Sequence, residues 1–219
     1  MTPLPTDAGA TPAYWDAACH YLTQRDRVMA KLIPQFGQAR LQTRGDAFST
    51  LARSIVGQQI SVKAAQAVWD RFVRHLGVCA QDLLKPDTVL AQDVPMLRAC
   101  GLSVRKAEYL LDLARHFQDR RVHLDQWQAM DDESIIDELV AIRGIGRWTA
   151  EMFLIFHLMR PNVLPLDDVG LLKGISLCYF SGEPVSRAEA RELGECWAPY
   201  RSVATWYLWR CLDPLPVEY

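Results

Sequence analysis

The 219 residues predict an all-α fold in two lobes, and three observations carry that reading. Apolar side chains recur at helical spacing in one segment after another, as Val62, Ala65, Val68, Trp69, Phe72 and Leu76 do. No sustained alternation of apolar and polar residues bounded by hairpin turns occurs along the chain. Half of the residues are apolar and seven are Trp, enough for a buried core at this length.

The elements follow in order. Residues 1–12, rich in Pro, Thr and Ala, read as a frayed tail. A helix runs from Tyr14 to Ile33 and breaks at Pro34, which cannot continue it. The segment from Asp46 to Val56 reads as a helix ending in a polar knuckle, Gln58-Gln59, and Ser61 opens the next helix. A short helical turn is expected to begin at Pro95, which suits a first helical position. Val104 to Phe117 forms a longer helix with Leu110, Leu111, Leu113, Ala114 and Phe117 as its buried face. Asp131-Asp132-Glu133 places negative charge where a helix start favours it, and Leu139, Val140 and Ile142 close that helix. The chain is helical again from Arg147 or Trp148 through Met159, then over Val169–Tyr179, Ser186–Trp197 and Arg201–Cys211. A central lobe of about residues 50–160 contains two helices joined by a glycine turn at 134–159; a second lobe joins 13–49 to 161–219.

Composition excludes several classes. No stretch approaches the roughly 18 apolar residues of a helical membrane span, so no membrane partner is expected. The start Met1-Thr-Pro-Leu-Pro has neither a basic head nor an apolar run, which predicts a cytoplasmic protein without a signal peptide. A net charge of −2 argues against nucleic-acid binding by bulk positive charge, but leaves room for a local patch. Arg53, Lys63, Arg105, Lys106, Arg143 and Arg147 are candidates for such a patch, or simply for a solvated surface. Cysteines 19, 79, 100, 178, 196 and 211 contain no Cys-x-x-Cys pair, so zinc-ribbon and thioredoxin-type sites are excluded and reduced, buried thiols are expected.

The most informative string is Arg143-Gly144-Ile-Gly146-Arg147-Trp148-Thr149-Ala150. Glycine adopts turn conformations that other residues avoid, and a helix that opens there presents N–H groups to an anion. Taken alone, the string also suits a plain link between packed helices. Further on, Pro165-Leu-Asp167-Asp168 places two carboxylates before another helix. Capping that helix is one role for them; stabilising positive charge on a sugar is another.

Together these strings resemble the helix–hairpin–helix (HhH-GPD) DNA base-excision glycosylases. Gly57-Gln58-Gln59-Ile60-Ser61, Gly101-Leu102-Ser103 with Lys106-Ala107, and Trp197-Ala-Pro-Tyr200-Arg201-Ser202 extend the resemblance to the 3-methyladenine DNA glycosylase II branch. It covers about Asp46 to Cys211. The fold implied is a two-lobed helical glycosylase with its active-site cleft between the lobes, in a compact form lacking the extra N-terminal β-rich domain of larger bacterial relatives.

The function implied is hydrolysis of the N-glycosidic bond of alkylated purines, of the 3-methyladenine and 7-methylguanine type, flipped out of duplex DNA. Two other readings stand beside it: a non-catalytic DNA-binding module, and a glycosylase for deaminated or mismatched bases. The resemblance makes Asp168 the catalytic carboxylate, with Asp167 as the alternative. Trp148 and Trp209 match aromatic positions of the base pocket, and Met152 stands where another pocket aromatic falls. For Trp209, core packing beside Trp206 and Tyr207 is the other reading. Gly144, Gly146, Arg147 and Thr149 fall on the phosphate-holding turn, and Gln59 on the wedge that enters the base stack. Carbonyls of Val140, Ile142 and Ile145 match a monovalent-cation site. Trp148 replaces the lysine with which strand-nicking members form a Schiff base, so no AP-lyase step is expected. The implied enzyme requires no cofactor and carries no iron–sulfur cluster, because the cysteines after the aspartates are too widely spaced. It is expected to act as a monomer on damaged double-stranded DNA, nucleoid-associated in a bacterium.

Overall fold

The helix expected from Tyr14 to Ile33 is two helices in the structure, a computed structural model that describes residues 9–43, 45–78 and 83–212. Helix α1 (Trp15–Arg25) stops at Asp26, whose extended backbone breaks the helical run. One oxygen of the Asp26 carboxylate then accepts the amides of Val28 at 2.7 Å and Met29 at 3.0 Å, which starts α2 (Arg27–Leu32). An internal aspartate flanked by helix formers is easily read as part of one long helix. Expectations for residues 1–8 and for Cys79 lie outside the described residues. Of the described cysteines only Cys100 is buried; the others are partly exposed.

Side-chain caps fix most of the remaining starts. Asp46 opens α3 (Ala47–Gly57), and Ser61 opens α4 (Val62–His75). Two short helices follow, α5 (Pro86–Leu90), which periodicity does not announce, and α6 (Val94–Ala99), with Pro95 in its first turn. Ser103 opens α7 (Val104–Gln118), and Asp131 opens α8 (Asp132–Val140). Ile142, expected to close that helix, lies beyond its end. Next comes α9 (Arg147–Phe156), shorter than the expected run to Met159. Met159 takes a positive φ of 53°, and the amide of Arg160 turns back to the Leu154 carbonyl at 2.9 Å, which closes the helix end. Asp168 opens α10 (Val169–Tyr179). A reciprocal Ser186–Glu189 capping box opens α11 (Arg187–Gly194), a 3₁₀ turn covers Glu195–Trp197, and α12 (Arg201–Leu212) ends the described chain. Among the described residues there is no strand. None of the described helices is long and apolar enough to cross a membrane.

The described residues divide into two compact units, those of Arg44–Phe153 and those of Asp7–Thr43 with Leu154–Glu218. In the first, α7 packs against α3, α5 and α6. Its face Leu110, Leu113 and Ala114 is wholly buried, as are Ile55, Phe72 and Leu97. The ring pairs Phe48–Phe117 and Trp127–Phe153 pack edge to face at 5.1 and 5.5 Å. In the second unit, α12 packs against α1, α2 and α10. Trp15 meets Trp206 edge to face at 5.1 Å. Gly174 on α10 lets the backbone of Leu208 approach so closely that a Cβ there would lie 3.0 Å from its carbonyl oxygen.

Asp26 ties this second unit together. Its other oxygen accepts the Tyr179 hydroxyl at 2.6 Å and the Trp197 indole N–H at 2.8 Å. Burial, and then the neighbouring Asp26 carboxylate, push the Tyr179 hydroxyl well above the usual tyrosine range. A buried carboxylate that accepts four N–H and O–H bonds, with the Cys196 thiol at 3.8 Å, is satisfied, whereas its removal strands the Tyr179 hydroxyl, the Trp197 indole and a helix start. Asp26→Ala is therefore expected to cost about 3–4 kcal/mol of stability, as the sum of a lost cap and unsatisfied partners. Urea unfolding monitored by tryptophan fluorescence checks it, and a loss under about 1 kcal/mol contradicts this account.

Candidate functional site

The glycine turn between α8 and α9 is built by close approach. Gly144 has φ +87°, and a Cβ there would lie 2.2 Å from Cδ2 of Tyr109. Only glycine satisfies both the left-handed backbone and the ring pressed on its Cα. From the C-cap of α3, Gln58 Nε2 donates to the Gly144 carbonyl at 2.8 Å. The amide of Arg143 is held by Asp112 at 2.9 Å, and that of Ile145 by the Ile142 carbonyl at 3.1 Å. Gly146 differs from the expectation for a turn glycine: its φ is not positive, and nothing lies within 4 Å of the Cβ position. Its hydrogen leaves open space in front of the first turn of α9, where helix amides point outward.

A cleft of about 370 Å³ opens beside this turn, lined by Gln58, Gln59, Ser103, Arg105, Lys106, Tyr109, Gly144, Gly146 and Thr149. Gln59 is exposed at its rim with a positive φ of 57°, a conformation non-glycine residues rarely hold. Exposed Ile60 and Val62 follow it. Lys106 Nζ donates to the Val56 carbonyl at 2.8 Å, and burial lowers its ammonium below the usual lysine range.

Arg147 is exposed, yet its guanidinium is committed. It bonds Glu133 at 2.5 and 2.8 Å and Glu151 at 3.1 Å. The bond to Glu133 holds the guanidinium above its usual range, and the same bond draws the Glu133 carboxyl down. The string that names Arg147 thus supplies its backbone more readily than its charge. Trp148 is 38% exposed, whereas Thr149 and Met152 are buried. Val140 is exposed, and Ile142 and Ile145 are buried.

The aspartates belong to the other unit and have different fates. Asp167 is half exposed and pairs with Arg187 at 2.8 Å. Asp168 is 8% exposed. Its Oδ1 accepts the Leu171 amide at 2.5 Å and the Trp209 indole N–H at 2.7 Å. The second aspartate, not the first, is the cap of α10. Trp209 is held in turn by stacking on Phe156, with centroids 5.6 Å apart and planes at 12°. Gly170 makes the arrangement fit, because a Cβ would lie 3.0 Å from Asp168 Oδ1 and 3.1 Å from Trp209 Cδ1. Sequence reasoning passed over Gly170, Phe156 and Tyr109, and gave Gln58 no bond to the glycine turn. The Gly170–Gly174 pair, one helical turn apart, was the legible signal; the others depend on tertiary contact.

Known proteins match this chain along most of its length. The family model described as HhH-GPD superfamily base excision DNA repair protein matches residues 52–199. A Bacillus subtilis protein named putative DNA-3-methyladenine glycosylase YfjP is 33% identical over 169 residues, which is 76% of this chain and 59% of that relative's length. Among solved structures, a DNA-3-methyladenine glycosidase from Bacillus halodurans superposes with a TM-score of 0.81 at 36% identity, covering 88% of this chain and 87% of its own. The Schizosaccharomyces pombe 3-methyladenine DNA glycosylase, solved in complex with abasic DNA, gives 0.77 at 28% identity, covering 92% and 100%.

The two turn glycines separate cleanly by experiment. Gly144→Ala is expected to cost about 2–4 kcal/mol, through backbone strain and collision with Tyr109. Gly146→Ala is expected to stay within about 0.5 kcal/mol of the parent, because the added methyl meets nothing. Equal losses for the two in urea unfolding contradict this division of roles.

Proposed function

The chain belongs to the HhH-GPD superfamily of base excision DNA repair proteins, and from that premise we propose that it is a monofunctional DNA glycosylase. In this reading it releases alkylated purines, of the 3-methyladenine and 7-methylguanine type, from duplex DNA by hydrolysis. The relatives' names support the substrate class. The observation that carries the chemistry is the fixed, buried carboxylate of Asp168.

Base departure leaves positive charge spread over C1′ and the ring oxygen of the sugar. A carboxylate already locked in place stabilises that charge without reorganising as the bond breaks. Leu171 N–H and Trp209 N–H hold Oδ1 and so fix the orientation of the whole group. The electron pair of the broken bond leaves with the base. Water attacks C1′, and the proton it sheds passes to solvent or to the carboxylate. Trp148 offers no amine, so the sugar is not captured covalently and no strand nick follows. Alkylated purines carry positive charge, which favours both departure and stacking on indole rings such as Trp148 and Trp209. Met152 supplies an apolar side chain to the same proposed pocket in place of an aromatic.

The open face of the turn at Gly144, Gly146 and Thr149 is the grip for a DNA phosphate, and Gln59 at the cleft rim is the group for the base stack. Arg147 joins this grip through its backbone. Carbonyls of Val140, Ile142 and Ile145 are neutral oxygen donors that suit a hard monovalent cation, and such an ion would stiffen the turn. One of them, Ile142, already accepts the Ile145 amide, which leaves its second lone pair for that role. The enzyme needs no other cofactor and works as a monomer in the cytoplasm.

Asp168→Asn tests the chemistry, because an amide oxygen still accepts from Leu171 and Trp209 and so keeps the cap of α10. We expect release of 3-methyladenine from methylated duplex to fall at least about 100-fold, with binding to abasic duplex retained. Asp167→Asn, which removes only a surface pair with Arg187, is expected to keep base release. Full activity of Asp168→Asn, or an inactive Asp167→Asn, overturns the assignment. A parent that binds DNA yet frees no base from a panel of lesion duplexes is a binding module instead. Trp148→Lys is expected to produce no strand nicking, since a lyase amine also needs placement and a lowered pKa.

A further inference from the structure

Six basic residues are candidates to meet DNA, and the structure separates them by what already holds them. Arg147 is bound by Glu133 and Glu151, and Arg143 pairs with Glu108 at 3.4 Å. Arg53 bonds Gln66 and lies over the Trp69 ring at 5.4 Å. Lys63 sits on α4 outside the cleft. Arg105 and Lys106 alone of the six line the cleft that the glycine turn opens onto. No carboxylate lines it. In a chain of net charge −2, this cleft is therefore a local positive surface.

We propose that Arg105 and Lys106 form a second phosphodiester site, which holds the phosphate neighbouring the one gripped by the turn amides. This rests on the DNA-binding reading above and extends it to a residue pair that reading does not use. Lys106 is pre-positioned, because one of its three donors is spent on the Val56 carbonyl and two remain. That bond also anchors the ammonium to the end of α3, beside the knuckle that carries Gln59. Arg105 is exposed and makes no ion pair among the described residues, and its planar fork matches two phosphate oxygens at once. The Ser103 hydroxyl accepts the Lys106 amide as the cap of α7, which fixes the start of the helix that carries both cations. Two phosphates held from one cleft set the direction of the strand as well as its distance, which a single grip cannot do.

Equilibrium binding to an abasic-site duplex, measured across a series of salt concentrations, tests the site. Arg105→Ala and Lys106→Ala are each expected to weaken binding roughly 3- to 10-fold near 0.1 M salt and to shrink the slope of log K against log salt by about 1. Lys106→Arg should keep the slope, and Arg121→Ala, a surface residue paired with Asp119, should change neither quantity. Unchanged slopes for both alanine variants overturn the proposal, as does a Lys106→Ala that loses only thermal stability. Should Lys106→Ala not fold, Arg105→Ala decides alone. A parent protein whose binding is absent or independent of salt sinks the DNA reading itself, whereas a salt-dependent parent with unaltered variants sinks only this second site.

Discussion

The turn at Gly144 depends on the contact between its Cα and the face of Tyr109. Because the ring occupies the place of a side chain, the backbone can follow only one path there, and that path takes a positive φ. Gln58 fixes the carbonyl of the same residue, so the turn is clamped from α3 and α7 at once. An anion site made of backbone amides has no charge of its own to spare. Its affinity comes from amides that already point the right way, and each degree of freedom left in the turn would be lost on binding. Tyr109 and Gln58 remove that freedom during folding.

Asp168 poses the same problem for a charged group. A carboxylate buried to this degree is costly unless donors surround it, and here the donors are a helix amide and an indole. Both are neutral. They fix the orientation of the group. Asp167 lies at the surface instead and pairs with Arg187. Gly170 and Gly174 let α12 approach α10 closely enough for Trp209 to serve as donor, so a packing detail of two helices sets the electrostatics of the carboxylate.

Much of this was legible in the sequence, for identifiable reasons. Helix periodicity survives without tertiary information, and so do caps such as Ser61, Ser103 and Asp131, which act on amides two or three residues away. The motif around Gly144 and the aspartates announced itself by residue type and spacing. What escaped notice acts across long separations. Gln58 and Gly144 are 86 residues apart, and Asp26 and Trp197 are 171 apart. No local pattern encodes such partners. Asp26 misled for the same reason, because its power to break a helix comes from tertiary donors that make an internal cap worth keeping. Gly146 misled differently: its identity suggested a backbone need, whereas its surroundings show a need for space.

The net charge of −2 is reconciled with a polyanionic ligand by the way the cations are spent. Charge counted over a whole chain matters for long-range steering, but within a Debye length of about 8 Å only the local arrangement acts. Near the turn, Glu133 and Glu151 consume Arg147, and Glu108 consumes Arg143. These pairs stiffen the helices that carry the turn and leave its amides uncrowded by long, mobile guanidinium groups. Arg105 and Lys106 line one cleft, and no carboxylate lines it with them. On the proposed reading, such a charge arrangement favours contact-range binding of DNA over long-range attraction. That balance suits an enzyme that must sample many undamaged sites, because loose non-specific binding lets it move on while the short-range contacts still hold a nucleotide turned out of the stack.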